Sequence, residues 1–182
     1  VERARWLGDV YKRQLLEIKF PGGREIEVLA EKGNPEKFKL PKPIINKGGC
    51  NLSFAGLKTA ILRVTKYINS EQEKYDLAAS FQKTIEEILY IKSKIAFKEF
   101  LKNSFKEKSF IIAGGVAANK ELRRRFSEEL GERCSTIYPD FSHCTDNGTM
   151  IAFAGYEKLN YFKEDNKIFV NPRWSLEEIA NG

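Results

Sequence analysis

A chain of 182 residues with 42% hydrophobic content, 13 Phe, 7 Tyr and 2 Trp carries enough apolar material for one domain or two small lobes, which excludes a disordered tail. No apolar run reaches the roughly 18 residues of a membrane span and no basic-then-apolar leader opens the chain, so a cytoplasmic protein is expected. The net charge of +6, from 31 basic and 25 acidic residues, leans toward polyanions such as tRNA without deciding for them. Three widely spaced cysteines, Cys50, Cys134 and Cys144, predict reduced thiols and not a disulfide framework.

Residues 1–14, VERARWLGDVYKRQ, end in a stretch identical to the translation of a transposon end used in sequencing-library preparation. They are set aside as a non-native leader. Removing Arg3, Arg5, Lys12 and Arg13 together with Glu2 and Asp9 lowers the net charge to +4, which weakens the electrostatic case for RNA. Pro21-Gly22-Gly23 reads as a turn, a short helix is predicted over 26–31, and Gly33-Asn34-Pro35 ends it. A basic, extended connector with Pro41 and Pro43 spans 39–47. Ser53 is the expected N-cap of the next helix, with Leu57, Ala60, Ile61, Val64 and Ile68 as its buried stripe. Lys58 and Arg63 lie off that stripe, on a face that suits RNA phosphate or simply solvent. Residues 71–102 form the longest helix by the period of Leu77, Phe81, Ile85, Ile88 and Ile95, and Ser80, Phe81 and Gln82 read as core.

The most informative stretch runs from 110 to 155. An apolar strand over 110–113 stops at Gly114-Gly115, and a helix from Ala117 follows, with Leu122, Phe126 and Leu130 four apart and Gly131 as its stop. Strand, double glycine and helix let a backbone approach an anionic ligand, and Asn119 in the first turn can reach the same ligand. A second strand is predicted over 135–138, paired with the first in one sheet. It leads through a loop, 139–144, to Thr145 as a helix cap and Asp146 at the helix start. Asp146 reads by itself as a dipole-stabilising residue or, as a hard oxygen donor, a metal ligand. A charged turn at 163–167, a short strand at 168–170 and the tail from Asn171 close the chain. No internal repeat is evident.

Six segments in order, FPGGREIE, LSFAGLKTAILR, DLAASFQ, GGVAANKELR, CTDNGTMIAFAG and NPRW, resemble the carboxy-terminal half of TsaD-type proteins, also called Gcp or glycoprotease-like. These are the tRNA N(6)-adenosine threonylcarbamoyltransferases, acyltransferases of the actin/Hsp70/sugar-kinase (ASKHA) superfold. The resemblance implies an α/β fold: an actin-like ATPase lobe over 103–182, an added helical part with the PGG motif over 15–102, and an amino-terminal lobe missing. It implies Gly23, Gly114, Gly115 and Asn119 as substrate contacts, Asp146 as a metal ligand, and no catalytic nucleophile, because the tRNA amine attacks. It also implies one divalent metal (Fe²⁺, alternatively Zn²⁺), threonylcarbamoyl-AMP as substrate with ATP or ADP as a further nucleotide, and tRNA with TsaB-type and TsaE-type subunits as partners. Arg24 stands where the family usually has proline. The family's two histidine ligands belong to the other half, and His143, the only histidine, matches neither. Two alternatives stay open: a small-molecule kinase of the same superfold, and a non-catalytic module that binds tRNA or a partner. Without an HExxH motif a metalloprotease has no support.

Overall fold

The computed structural model describes residues 22–102, 109–130 and 134–161. Within them the order is α1 (Gly22–Ala30), α2 (Leu57–Thr65), α3 (Glu71–Phe100), β1 (Ser109–Ile111), α4 (Lys120–Leu130), β2 (Ser135–Ile137) and α5 (Gly148–Glu157). The chain divides into two units, Val1–Asp146 and Asn147–Gly182. Among the described residues no helix is long and apolar enough to cross a membrane. The predicted strand at 168–170, the tail from Asn171 and residues 1–14 lie outside the described residues.

α3 is the spine of the first unit. It starts cleanly because Ser70 Oγ accepts from the Glu73 amide at 3.2 Å while Glu73 Oε2 accepts from the Asn69 amide at 2.8 Å, a reciprocal capping arrangement. Its amino-terminal part carries Leu77, Ala78, Phe81 and Ile88 into a core with Ile26 of α1, Leu40 of the connector, Phe54 just before α2, and Leu57 of α2. The predicted stripe of α2 packs against that core, with Ala60, Ile61, Val64 and Ile68 half-buried on it. The carboxy-terminal half of α3 builds a second core. There Tyr90 and Phe97 meet Leu122, Phe126 and Leu130 of α4, with Phe110 stacked on Phe126 at 6.0 Å. Of the period read for α3, Leu77, Phe81, Ile85 and Ile88 join the first core, while Ile95 belongs to neither cluster.

The DLAASFQ segment is structural at its polar positions. Gly33 passes so close to α3 that a Cβ there would sit 2.0 Å from the Tyr75 carbonyl oxygen, so only glycine fits. Asp76 Oδ1 then accepts from the Asn34 amide at 2.8 Å and from Gln72 Nε2 at 2.9 Å. Ser80 Oγ accepts from the Phe38 amide at 3.1 Å and donates to the Asn34 carbonyl at 3.4 Å. The Asn34 backbone bond and Gln72 hold the Asp76 carboxyl below its ordinary value. Its contribution is therefore present above that value and lost as pH falls through the lowered one. Asp76→Ala is expected to cost about 1–2 kcal/mol of stability, the size of a part-buried hydrogen bond left unmade, read as a shift in the urea midpoint.

The connector is less free than its lysines imply. Lys42 pairs with Glu87 and Lys83 with Glu36, tying it to α3. Lys92, 2% exposed, donates to the Lys47 and Gly49 carbonyls at 2.6 and 3.3 Å. Of the connector's three lysines, Lys42 is engaged by Glu87, while Lys39 and Lys47 keep exposed side chains.

β1 and β2 pair in parallel, Phe110 opposite Thr136 and Ile111 opposite Ile137. Side chains alternate across a strand, so Phe110 and Ile112 face the second core while Ile111 and Ile137 point away from it, 68% and 45% exposed. Parallel sheets are normally covered on both faces. An environment-sensitive apolar dye should bind this chain, and Ile111→Lys with Ile137→Lys should reduce its fluorescence without lowering the unfolding midpoint by more than about 1 kcal/mol.

Four helix starts differ from the sequence reading. α1 begins at Gly22, not at Ile26, and takes in the Gly22 and Gly23 that read as a turn. α2 begins at Leu57, after Gly56 at φ 78°; Ser53 Oγ instead accepts from the Ala55 amide at 3.3 Å. A left-handed glycine redirects the chain there, which a capping rule cannot see. Ala117 lies in a 3₁₀ turn, Gly115–Ala118, and α4 begins only at Lys120, because Asn119 takes extended dihedrals and caps it. Asn147, not Thr145, caps α5, its Oδ1 accepting from the Met150 amide at 2.9 Å.

Candidate functional site

The glycine turn after β1 has the geometry its sequence implies. Gly114 sits at φ 85°, which favours glycine, and a Cβ at either Gly114 or Gly115 would meet nothing within 4 Å. The backbone here is laid open on one side. Ala117 behind it is fully buried and fixes the turn against the protein.

Asn119 ends the turn. Its Oδ1 accepts from the Leu122 amide at 2.8 Å, capping α4, and its Nδ2 donates to Gln82 Oε1 at 3.2 Å. An amide nitrogen carries two hydrogens, so one donor remains for a ligand. The first amide of α4 is occupied as well: Lys120 donates to Glu27 Oε1 at 2.7 Å. Glu27 lies one turn after Gly23 on α1, so α1 meets the start of α4 through Glu27. Gly23 itself is exposed.

Arg123 joins this turn to the loop that carries Asp146. Its Nε donates to the Ala117 carbonyl and its Nη2 to the Pro139 carbonyl at 2.7 Å, with Cys144 Sγ 3.1 Å away. The guanidinium stacks 4.0 Å from the Phe141 ring centroid and 5.0 Å from that of Tyr138, whose hydroxyl donates back to the Arg123 carbonyl at 3.1 Å. Cys144, 2% exposed, is therefore a structural thiol, and Asp146 follows it by two residues, exposed. His143 is exposed in a short turn, Phe141–His143.

Sequence reasoning missed Arg123, and the reason is local. It is the first of three consecutive arginines, and the other two pair with carboxylates of their own helix: exposed Arg124 with Glu121 and Glu128, and Arg125, half-buried over the Tyr90 ring, with Glu129. The available signal was the helical period, since Arg123 is adjacent to the buried stripe of Leu122, Phe126 and Leu130.

Asp146 supplies a hard oxygen donor, but a metal cage needs about three protein ligands. Among the described residues no three His, Cys, Asp or Glu side chains come together. The described residues therefore do not make a metal site by themselves.

A strand, a left-handed glycine, a single 3₁₀ turn and an asparagine-capped helix define a mixed α/β unit with an open backbone turn. The family model for TsaD, tRNA N6-adenosine threonylcarbamoyltransferase, matches residues 10–153, and the chain belongs to that family. A protein of that name from Pelagibacter ubique is 57% identical over 171 residues, covering 92% of this chain and 48% of its own length. Those from Rickettsia conorii and Rickettsia rickettsii are 47% and 45% identical, each over 92% of this chain and 51% of their own length. The chain thus spans about half the length of the curated relatives it matches.

Proposed function

We propose that this chain is the carboxy-terminal part of an enzyme that transfers a threonylcarbamoyl group from threonylcarbamoyl-AMP to N(6) of adenosine 37 in tRNAs reading ANN codons. In that reaction the adenosine amine attacks the carbamoyl carbon. The new C–N bond replaces the C–O bond to phosphate, AMP leaves, and the amine proton passes to solvent. The observation that carries this reading is the open glycine turn ending in Asn119, clamped by Arg123 to the segment that leads to Asp146.

Gly114 and Gly115 would let the adenylate approach the backbone, Gly23 would border it from α1, and Asn119 would orient it with its remaining N–H. Asp146 would complete a metal cage (Fe²⁺, alternatively Zn²⁺) whose other ligands this chain lacks, and ATP or ADP is a further nucleotide for the same cleft. The lobe is read as actin-like, 103–182, with 15–102 as an added helical part. The partners proposed are tRNA and TsaB-type and TsaE-type subunits, in the cytoplasm.

The incomplete ligand set favours a second reading for the chain in isolation, a non-catalytic module that binds tRNA or a partner. Incorporation of labelled threonine into tRNA separates the two. The 182-residue chain should give none when supplied with the adenylate, tRNA and both partner subunits. Fusion to the amino-terminal half of a relative should restore it, and Asp146→Ala in the fusion should abolish it. Robust incorporation by the chain alone would overturn the half-site reading.

A further inference from the structure

Asn119 is the outer end of a polar line that runs into the protein. It donates to Gln82 Oε1 at 3.2 Å. One turn along α3, on the same face, lies Glu86, 6% exposed, whose buried Oε1 has no hydrogen-bond partner among the described residues. The charged groups around it are Glu121, Arg124 and Arg125 of α4, and α1 contributes Glu27 at the start of that helix. Burial first, then Glu121, pushes the Glu86 carboxyl up to about 7, against the pull of Arg125, a hydrogen bond from Gln82, and Arg124. An orphaned carboxyl oxygen linked through Gln82 to the residue read as an adenylate contact is not explained by packing.

We propose that Glu86 is a positioning residue whose proton, relayed through Gln82, sets which way the Asn119 amide faces. Its functional meaning rests on reading Asn119 as a contact to the adenylate. The logic is that of donors and acceptors. An ionised carboxylate can only accept, so Gln82 must turn its NH₂ toward Glu86. That leaves Gln82 Oε1 facing Asn119, which must donate from Nδ2 and keep Oδ1 for the Leu122 amide, as observed. A protonated Glu86 keeps one accepting oxygen and gains an O–H; in the proposed relay that O–H is given to Gln82 Oε1, and the Gln82 amide turns over. Gln82 then presents its NH₂ to the Asn119 NH₂, two donors face each other, and Asn119 must turn. Cap and ligand donor change together.

The test follows the Asn119 side-chain amide by ¹⁵N–¹H spectra of the whole 182-residue chain between pH 5.5 and 8.5. Its NH₂ pair is expected to move with a midpoint of about 7, where burial and Glu121 push the Glu86 carboxyl. In Glu86→Gln, a near-isosteric change, that movement should vanish. In Gln82→Leu the Glu86 carboxyl carbon should still titrate while Asn119 stays still, which a purely structural role for Glu86 would not produce. An Asn119 signal that does not respond to pH in the folded wild type, or that responds equally in Gln82→Leu, overturns the relay. AMP is then added as probe. Its apparent affinity should differ several-fold between pH 6 and pH 8 in the wild type and not in Glu86→Gln. AMP that leaves Asn119 unmoved at both pH values faults the adenylate reading alone, and the pH titration still decides the relay.

Discussion

Arg123→Ala should destabilise the chain by about 2–4 kcal/mol and open the loop leading to Asp146. The substitution removes charge-assisted hydrogen bonds to two backbone carbonyls, each worth about 1.5–3 kcal/mol when part-buried. It also removes stacking on Phe141 and Tyr138, roughly 0.5–2 kcal/mol. Some of this returns as water reaches the freed carbonyls. The local signature is the Cys144 thiol, buried at 2% exposure beside the guanidinium. If loop opening becomes about 2 kcal/mol easier, alkylation of Cys144 should speed roughly thirty-fold. Cys134, buried in the second core, should keep its rate, and exposed Cys50 should react fast in both proteins. Arg123→Lys keeps the charge but loses the planar fork, so it should fall between the two. Unchanged Cys144 labelling in a folded Arg123→Ala protein would mean that the loop is held by other contacts.

A second large effect is expected at Glu86. Its carboxyl has an ordinary value of 4.5 and is raised to about 7 in the folded chain, so the folded state holds the proton more tightly. The associated stability is present in full below about 4.5 and is lost as pH rises through about 7. The loss would be at most on the order of 3 kcal/mol, from about 1.4 kcal/mol for each tenfold gain in proton affinity on folding. Urea midpoints between pH 5 and pH 8 should therefore fall with pH, and Glu86→Gln should flatten the slope. Asp76, whose carboxyl is held low instead of raised, acts only at lower pH and does not blur this window. A wild-type slope matched by the variant would show that Glu86 stays ionised throughout.

What the sequence alone determined is the set of periodic elements and the family. Leu77, Phe81 and Ile88, then Leu122, Phe126 and Leu130, are spaced at the helical period, and that spacing survives any tertiary arrangement that buries one face. The runs either side of α4 were legible as strands because they are short and rich in β-branched and aromatic residues, and they pair in parallel. The double glycine was legible because only glycine takes Gly114's φ of 85° without strain. Tertiary structure decided what has no local signature. Whether Ser53 caps a helix depended on Gly56 turning the chain first. Which of three consecutive arginines turns inward depended on where the Pro139 and Ala117 carbonyls stand. That Gln82, read as core, meets Asn119, and that Glu86 is buried one turn beyond it, depended on α3 and α4 packing side by side. Periodicity reports which face of one element is apolar. The partner of a polar side chain is set by a second element tens of residues away, and no single-segment pattern encodes it.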